Sequence, residues 1–250
     1  MEDAIVAYKR ASSIRPDSPA VHLNLGVAFE QSGQLDEARA AFERASALLP
    51  DRDDLRLQMA WIAERQKQGG EAENLYAKLV ERNPSAETAW FRLGYLRLER
   101  GDAEGGATAF RACLEKRPNW PEAQVNLSIA CSKLGQYEEA HKVLASLLEQ
   151  QPNHPDALQG LAEIALQLQK PQEALGHYTK LLETGGASSD ILYNCGGTLT
   201  AVGRSERRDQ LLRSRAQEGT ELRRSVTQSG PCARSGGIGG SCSRLLDSRA

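Results

Sequence analysis

Aromatic residues make up only 5% of the 250-residue chain, and cysteine occurs five times at scattered spacings. The scattered cysteines exclude a disulfide framework and point to a reducing, cytoplasmic compartment. No apolar run approaches the roughly 18–20 residues that a spanning helix needs, so no membrane span is predicted. Met1-Glu2-Asp3 opens acidic and no apolar segment follows, which predicts no signal peptide. Signatures of catalysis are also missing: no phosphate loop ending in Gly-Lys-Ser/Thr, no Gly-x-Ser-x-Gly elbow, no His-Glu-x-x-His helix. Charge is nearly balanced at a formal −2, but unevenly spread. Residues 1–203 carry 21 basic and 28 acidic side chains, net −7, whereas 204–250 carry 10 and 5, net +5, with arginine as the only basic residue there.

What the chain does have is a ruler. Pro16, Pro50, Pro84, Pro118 and Pro152 lie 34 residues apart. The same interval relates Ala4, Ala38, Ala72, Gly106, Ala140 and Ala174. It also relates Tyr8, Phe42, Tyr76, Phe110, Leu144 and Tyr178, and again Gly26, Ala60, Gly94, Ser128, Ala162 and Gly196. Four gapless series of one period make a tandem repeat. Small residues recur where two helices must approach closely, and large ones where the space between helices must be filled. Apolar spacing such as Ala38, Ala41, Phe42, Ala45, Leu48 is helical. Ser32-Gly33-Gln34 separates two halves, and Asp36-Glu37 then places negative charge at a helix N-terminus. Proline closes each unit because it cannot continue a helix. Each unit is therefore expected to be a helix-turn-helix pair.

The pattern resembles the tetratricopeptide repeat family, whose units carry Trp, Leu-Gly, Tyr, Ala, Phe, Ala and Pro at fixed offsets. Trp90, Leu93-Gly94, Phe110 and Pro118 form the nearest copy, and Leu25-Gly26, Phe29, Ala38, Phe42, Ala45 and Pro50 another. The tryptophan position departs to His22, Arg56, Gln124, Leu158 and Leu192 elsewhere. The resemblance covers about residues 1–203 and implies an all-α, right-handed superhelical solenoid of antiparallel helix pairs. The expected organisation is a partial repeat at 1–18, five full repeats over 19–188 and a degenerate repeat over 189–218. A disordered Arg/Gly/Ser-rich tail is expected over 219–250. The chain starts inside a repeat, as a portion of a longer protein would. The tail reads as passive, the alternative being an arginine-rich arm for nucleic acid or anionic lipid.

In that family the first helices line the concave side, where extended peptides bind. By that resemblance Trp61, Phe91 and Tyr95, at the fifth or ninth places of neighbouring units, are expected to offer aromatic anchors, at least two of them exposed to the groove, the alternative being that some pack between units. The sixth place holds Asn24, Gln58, Arg92, Asn126 and Asn194. A side-chain amide matches both polar groups of an extended backbone, so these residues read as a peptide-holding ladder. Asparagine is also common at this place in the family for local reasons, and that reading stays open. Acidic residues near this side, including Glu30, Glu64 and Glu99, favour neutral or basic partners. No lysine stands at the fifth place, so the clamp by which one branch of the family grips acidic C-termini is not expected.

No cofactor and no metal are expected. His22, His141, His154 and His177 fall at different places of different units, and Cys113, Cys131 and Cys195 at core places. The function expected is a non-catalytic interaction scaffold for a peptide or protein partner. The alternative is a regulatory or substrate-presenting portion of a larger enzyme such as a glycosyltransferase. Nucleic-acid binding is opposed by the net −7 of residues 1–203. Self-association through uncapped repeat ends remains a further expectation.

Overall fold

The computed structural model describes residues 2–186 and 188–203. Among them lie twelve helices and no strand. In chain order they are α1 (Glu2–Ile14), α2 (Pro19–Gln31), α3 (Leu35–Leu48), α4 (Asp53–Arg65), α5 (Gly69–Arg82) and α6 (Glu87–Glu99). There follow α7 (Ala103–Lys116), α8 (Pro121–Lys133), α9 (Tyr137–Gln150), α10 (Pro155–Gln167), α11 (Pro171–Glu183) and α12 (Ser189–Ala201). The chain divides into two compact units, Met1–Ala130 and Cys131–Ala250. Within each, consecutive helices pack on one another as an all-α helical-repeat solenoid. The segment 219–250 and the part of 189–218 beyond residue 203 lie outside the described residues.

The physical origin of the period is visible in the hairpins. In unit 1, a Cβ added at Gly26 would come within 2.7 Å of the Phe42 ring, and one at Gly94 within 2.9 Å of the Phe110 ring. The small series and one of the large series are thus two sides of a single contact, with α2 lying on α3 and α6 on α7. Phe42, Tyr76 and Phe110 are fully buried there, as is Tyr178 in unit 2. Ile5, Leu25, Phe29, Leu55 and Ile62 gather around the first contact. Tyr76, Leu79, Leu93 and Leu96 form the second cluster of unit 1, and Leu158, Tyr178, Leu181 and Leu199 the core of unit 2.

Three residues link the first helix to the second in every hairpin from α2–α3 to α10–α11, and the middle one has left-handed backbone. These five positions, Gly33, Lys67, Gly101, Gly135 and Gln169, continued by the likewise left-handed Gly203 after α12, are a fifth series on the same interval. Lys67 (φ +60°) and Gln169 (φ +57°) hold a conformation that costs a residue with a Cβ about 1–2 kcal/mol. Lys67→Gly is therefore expected to raise stability by about 0.5–1 kcal/mol, glycine's greater unfolded-state freedom offsetting part of the relief. A thermal melt showing no gain would contradict the turn geometry.

The proline series lies in the four-residue connections between hairpins. Each of the first three proline carbonyls accepts a hydrogen bond from the side chain six residues on. A ring nitrogen of His22 donates to Pro16 (2.6 Å), Arg56 to Pro50, and the Trp90 indole to Pro84 (3.0 Å). Of the departures at the tryptophan position, His22 and Arg56 thus keep its donor, whereas Leu158 and Leu192 have none to offer.

Candidate functional site

In unit 1 the first helices of successive hairpins are joined by side chains that reach past the intervening second helix. The Trp61 indole N–H on α4 donates to Glu30 Oε1 on α2 at 2.9 Å. The Arg92 guanidinium on α6 lies 4.1 Å from the centre of the same indole ring. Arg92 Nη1 also donates to Glu64 Oε1 on α4 at 3.3 Å. The second oxygen of Glu64 accepts from the Tyr76 hydroxyl on α5 at 3.0 Å. Arg65 reaches Glu30 Oε1 at 3.4 Å. Residues 30, 61 and 92 are 31 apart, one repeat less three residues. A residue three places earlier is about one helical turn back, so this interval runs a diagonal row across adjacent parallel first helices.

Burial sets the electrostatics of this row. It pushes the Glu64 carboxyl above the ordinary range, against the pull of Arg92 and the Tyr76 hydroxyl. Burial and the Glu64 charge push Tyr76 up, which keeps it a donor at neutral pH. The folded state therefore binds the Glu64 proton more tightly than the unfolded state does. By linkage, this group's contribution to stability falls as pH rises from the unfolded carboxylate value through the folded one. Glu64→Gln, neutral throughout, is expected to flatten that limb in melting curves taken from about pH 4 to pH 7. An unchanged difference between the two ends would contradict the burial of the charge.

The other residues expected at the site are placed differently. Phe91 is 7% exposed and belongs to the interior: its ring stacks on Trp120 at 4.6 Å and meets Phe110 edge-on at 5.8 Å. Trp61, Phe91 and Tyr95 thus do not present three open rings. Tyr95 is half-buried, and its hydroxyl donates to Glu99 Oε1 at 2.7 Å. Asn24 is exposed and Gln58 half-buried. Asn126 is 7% exposed and donates to the Glu122 carbonyl of its own helix at 2.8 Å, which spends part of its amide locally. Asn194 is half-buried on α12 in unit 2. Trp120, which sequence reasoning missed, stands in the connection before α8 with the Arg117 guanidinium 4.6 Å from its ring centre. Its signal was the position two residues past Pro118, where a ring can fold back over the preceding hairpin.

Elsewhere, Cys113, Cys131 and Cys195 are buried, and burial pushes the Cys113 thiol up to about 12, leaving it uncharged. In unit 2, His141 pairs with Glu173 at 3.0 Å and, with Lys170, holds that carboxyl below its ordinary range. No helix among the described residues is long and apolar enough to cross a membrane.

Family models agree with this geometry. One described as tetratricopeptide repeat matches residues 31–93 and 97–164, and a second, TPR repeat, matches 1–33. The chain belongs to the tetratricopeptide repeat family. Among solved structures, this TPR chain is similar to YrrB, described as a TPR protein with an unusual peptide-binding site, at 16% identity and a TM-score of 0.66. The match covers 75% of this chain and 96% of YrrB. MamA is similar at 16% identity and a TM-score of 0.62, over 66% of this chain and 90% of MamA. A tetratricopeptide repeat protein from Parabacteroides merdae reaches 19% identity and 0.61, over 86% and 85% of the two chains. At these identities the likeness is one of fold. No curated protein sequence matches the chain.

Proposed function

We propose that the chain is a non-catalytic, cytoplasmic interaction scaffold that binds an extended protein segment on the first-helix face of unit 1. The observation that carries this reading is the diagonal row of Glu30, Trp61 and Arg92, with Glu64 beside it. Three helices hold one half-buried indole in a fixed pose, and an aromatic body fixed in advance loses little freedom when a partner covers it. YrrB, of the same fold, is described as having a peptide-binding site, which supports a peptide as the occupant here. Gln58 and Tyr95 flank the row in sequence, while Asn24 and Asn126 extend the sixth-place series to either side of it. The net −7 of residues 1–203 favours neutral to basic partners over nucleic acid, whose phosphates need a basic surface.

The test is affinity capture with the full chain followed by titration of the captured partner. Trp61→Ala combined with Tyr95→Ala is expected to weaken that partner at least tenfold, the scale of an aromatic hot spot. Circular dichroism should show the helices retained. Undiminished affinity in the double variant would reject the face as the binding site.

A further inference from the structure

Arg92 is an unusual neighbour for a binding face. It covers the indole with a guanidinium and touches Glu64 through one long contact of 3.3 Å, without the paired fork that Arg and carboxylate form when optimised. Glu30 is similar: it accepts the Trp61 N–H well, but its ion pair with Arg65 is 3.4 Å long and the Arg65 side chain is 39% exposed. Both carboxylates are largely shielded, at 17% and 15% side-chain exposure, and neither has a bidentate cation. The elements of a guanidinium receptor are therefore assembled: a flat indole face, the shielded Glu30 carboxylate at its N–H edge, and a resident arginine over the face that reaches the second shielded carboxylate, Glu64. The Glu64 carboxyl, held high by burial despite Arg92 and Tyr76, is a charge that its surroundings leave under-compensated.

We propose that the Glu30–Trp61–Glu64 cluster is a recognition pocket for an arginine side chain of the partner segment, with Arg92 as its internal placeholder. This rests on the interaction-scaffold reading and specifies its ligand. An incoming arginine displaces Arg92 from the ring and takes both carboxylates. The displaced Arg92 swings toward solvent, so occupancy exchanges one cation for another without burying an unpaired charge. The pocket thereby discriminates against acidic and neutral side chains, which on displacing Arg92 would leave Glu64 without its cation.

The experiment selects phage-displayed random 12-residue peptides on the full chain. The expected result is an arginine shared among the selected sequences. A synthetic selected peptide should lose about tenfold in affinity when that arginine becomes citrulline, its neutral isostere. A loss of the same size is expected against the Glu30→Gln/Glu64→Gln variant. Arg92→Ala should bind the arginine peptide several-fold more tightly, because the competitor is gone. The citrulline comparison uses the unaltered protein and so stands even if a variant folds poorly. Selected peptides without a shared arginine that still depend on Trp61 would overturn the pocket and leave the scaffold reading intact. Failure to select any peptide would overturn both.

Discussion

Replacing Phe110 by alanine is expected to remove about 3–5 kcal/mol of folding stability, the range for deleting a buried phenyl ring. The ring is fully buried, lies against Gly94 and meets the edge of Phe91. Gly94 has no side chain to move into the vacancy, and Phe91 is already engaged with Trp120, so the site is poorly able to collapse. The loss should also spread. In a stacked array each hairpin is stabilised by its neighbours, so weakening α6–α7 takes support from α5, which packs on α6. Urea denaturation followed by circular dichroism measures the effect. A change below about 1 kcal/mol would mean that the ring is not the filler of this hairpin.

Gly94→Leu attacks the same contact from the other side. Even a single Cβ would press against three ring carbons of Phe110 at 2.9–3.1 Å, and leucine adds three more carbons. Overpacking of this kind costs about 1–3 kcal/mol. The sign of the coupling is the more telling measurement. In the double variant Gly94→Leu/Phe110→Ala the new side chain occupies space that the ring has vacated. The combined loss is therefore expected to fall short of the sum of the single losses by at least about 1 kcal/mol. Simple additivity would show that the two residues do not share one space, and the repeat register would be misplaced.

Much of the fold was legible because the sequence states the same contact repeatedly. A small residue and a large one recurring together on one interval have few explanations besides a helix crossing, and Gly26–Phe42 and Gly94–Phe110 are such crossings. The left-handed turn series was harder to read because Lys67 and Gln169 hide it: side chains that tolerate strain carry no glycine signal. The candidate face was less legible than the fold. Trp61 and Arg92 were both expected there, but position within a unit says which way a residue leans and not what it meets. That required comparing residues 31 apart, which relates neighbouring units. Phe91 was assigned by position to an open face. Trp120, in a connection outside the helical pattern, covers it instead. Contacts made by connecting segments obey no helical period, so no count along the chain foretells them.

The repeated crossing also poses a pairing problem for the folding chain. The Phe42 side of α3 and the Phe110 side of α7 are chemically alike, so α6 offers either of them a suitable groove. Nothing in that contact distinguishes the rightful mate from the stranger. The three-residue link does. Closing it demands far less chain ordering than reaching across some sixty residues, a difference of about 3 kcal/mol if entropy grows with the logarithm of loop length. Proximity along the chain, rather than lock-and-key selectivity, is what makes each helix choose its own neighbour. Lengthening one of these links with a flexible insert would erode that preference and invite exchange of helices between molecules.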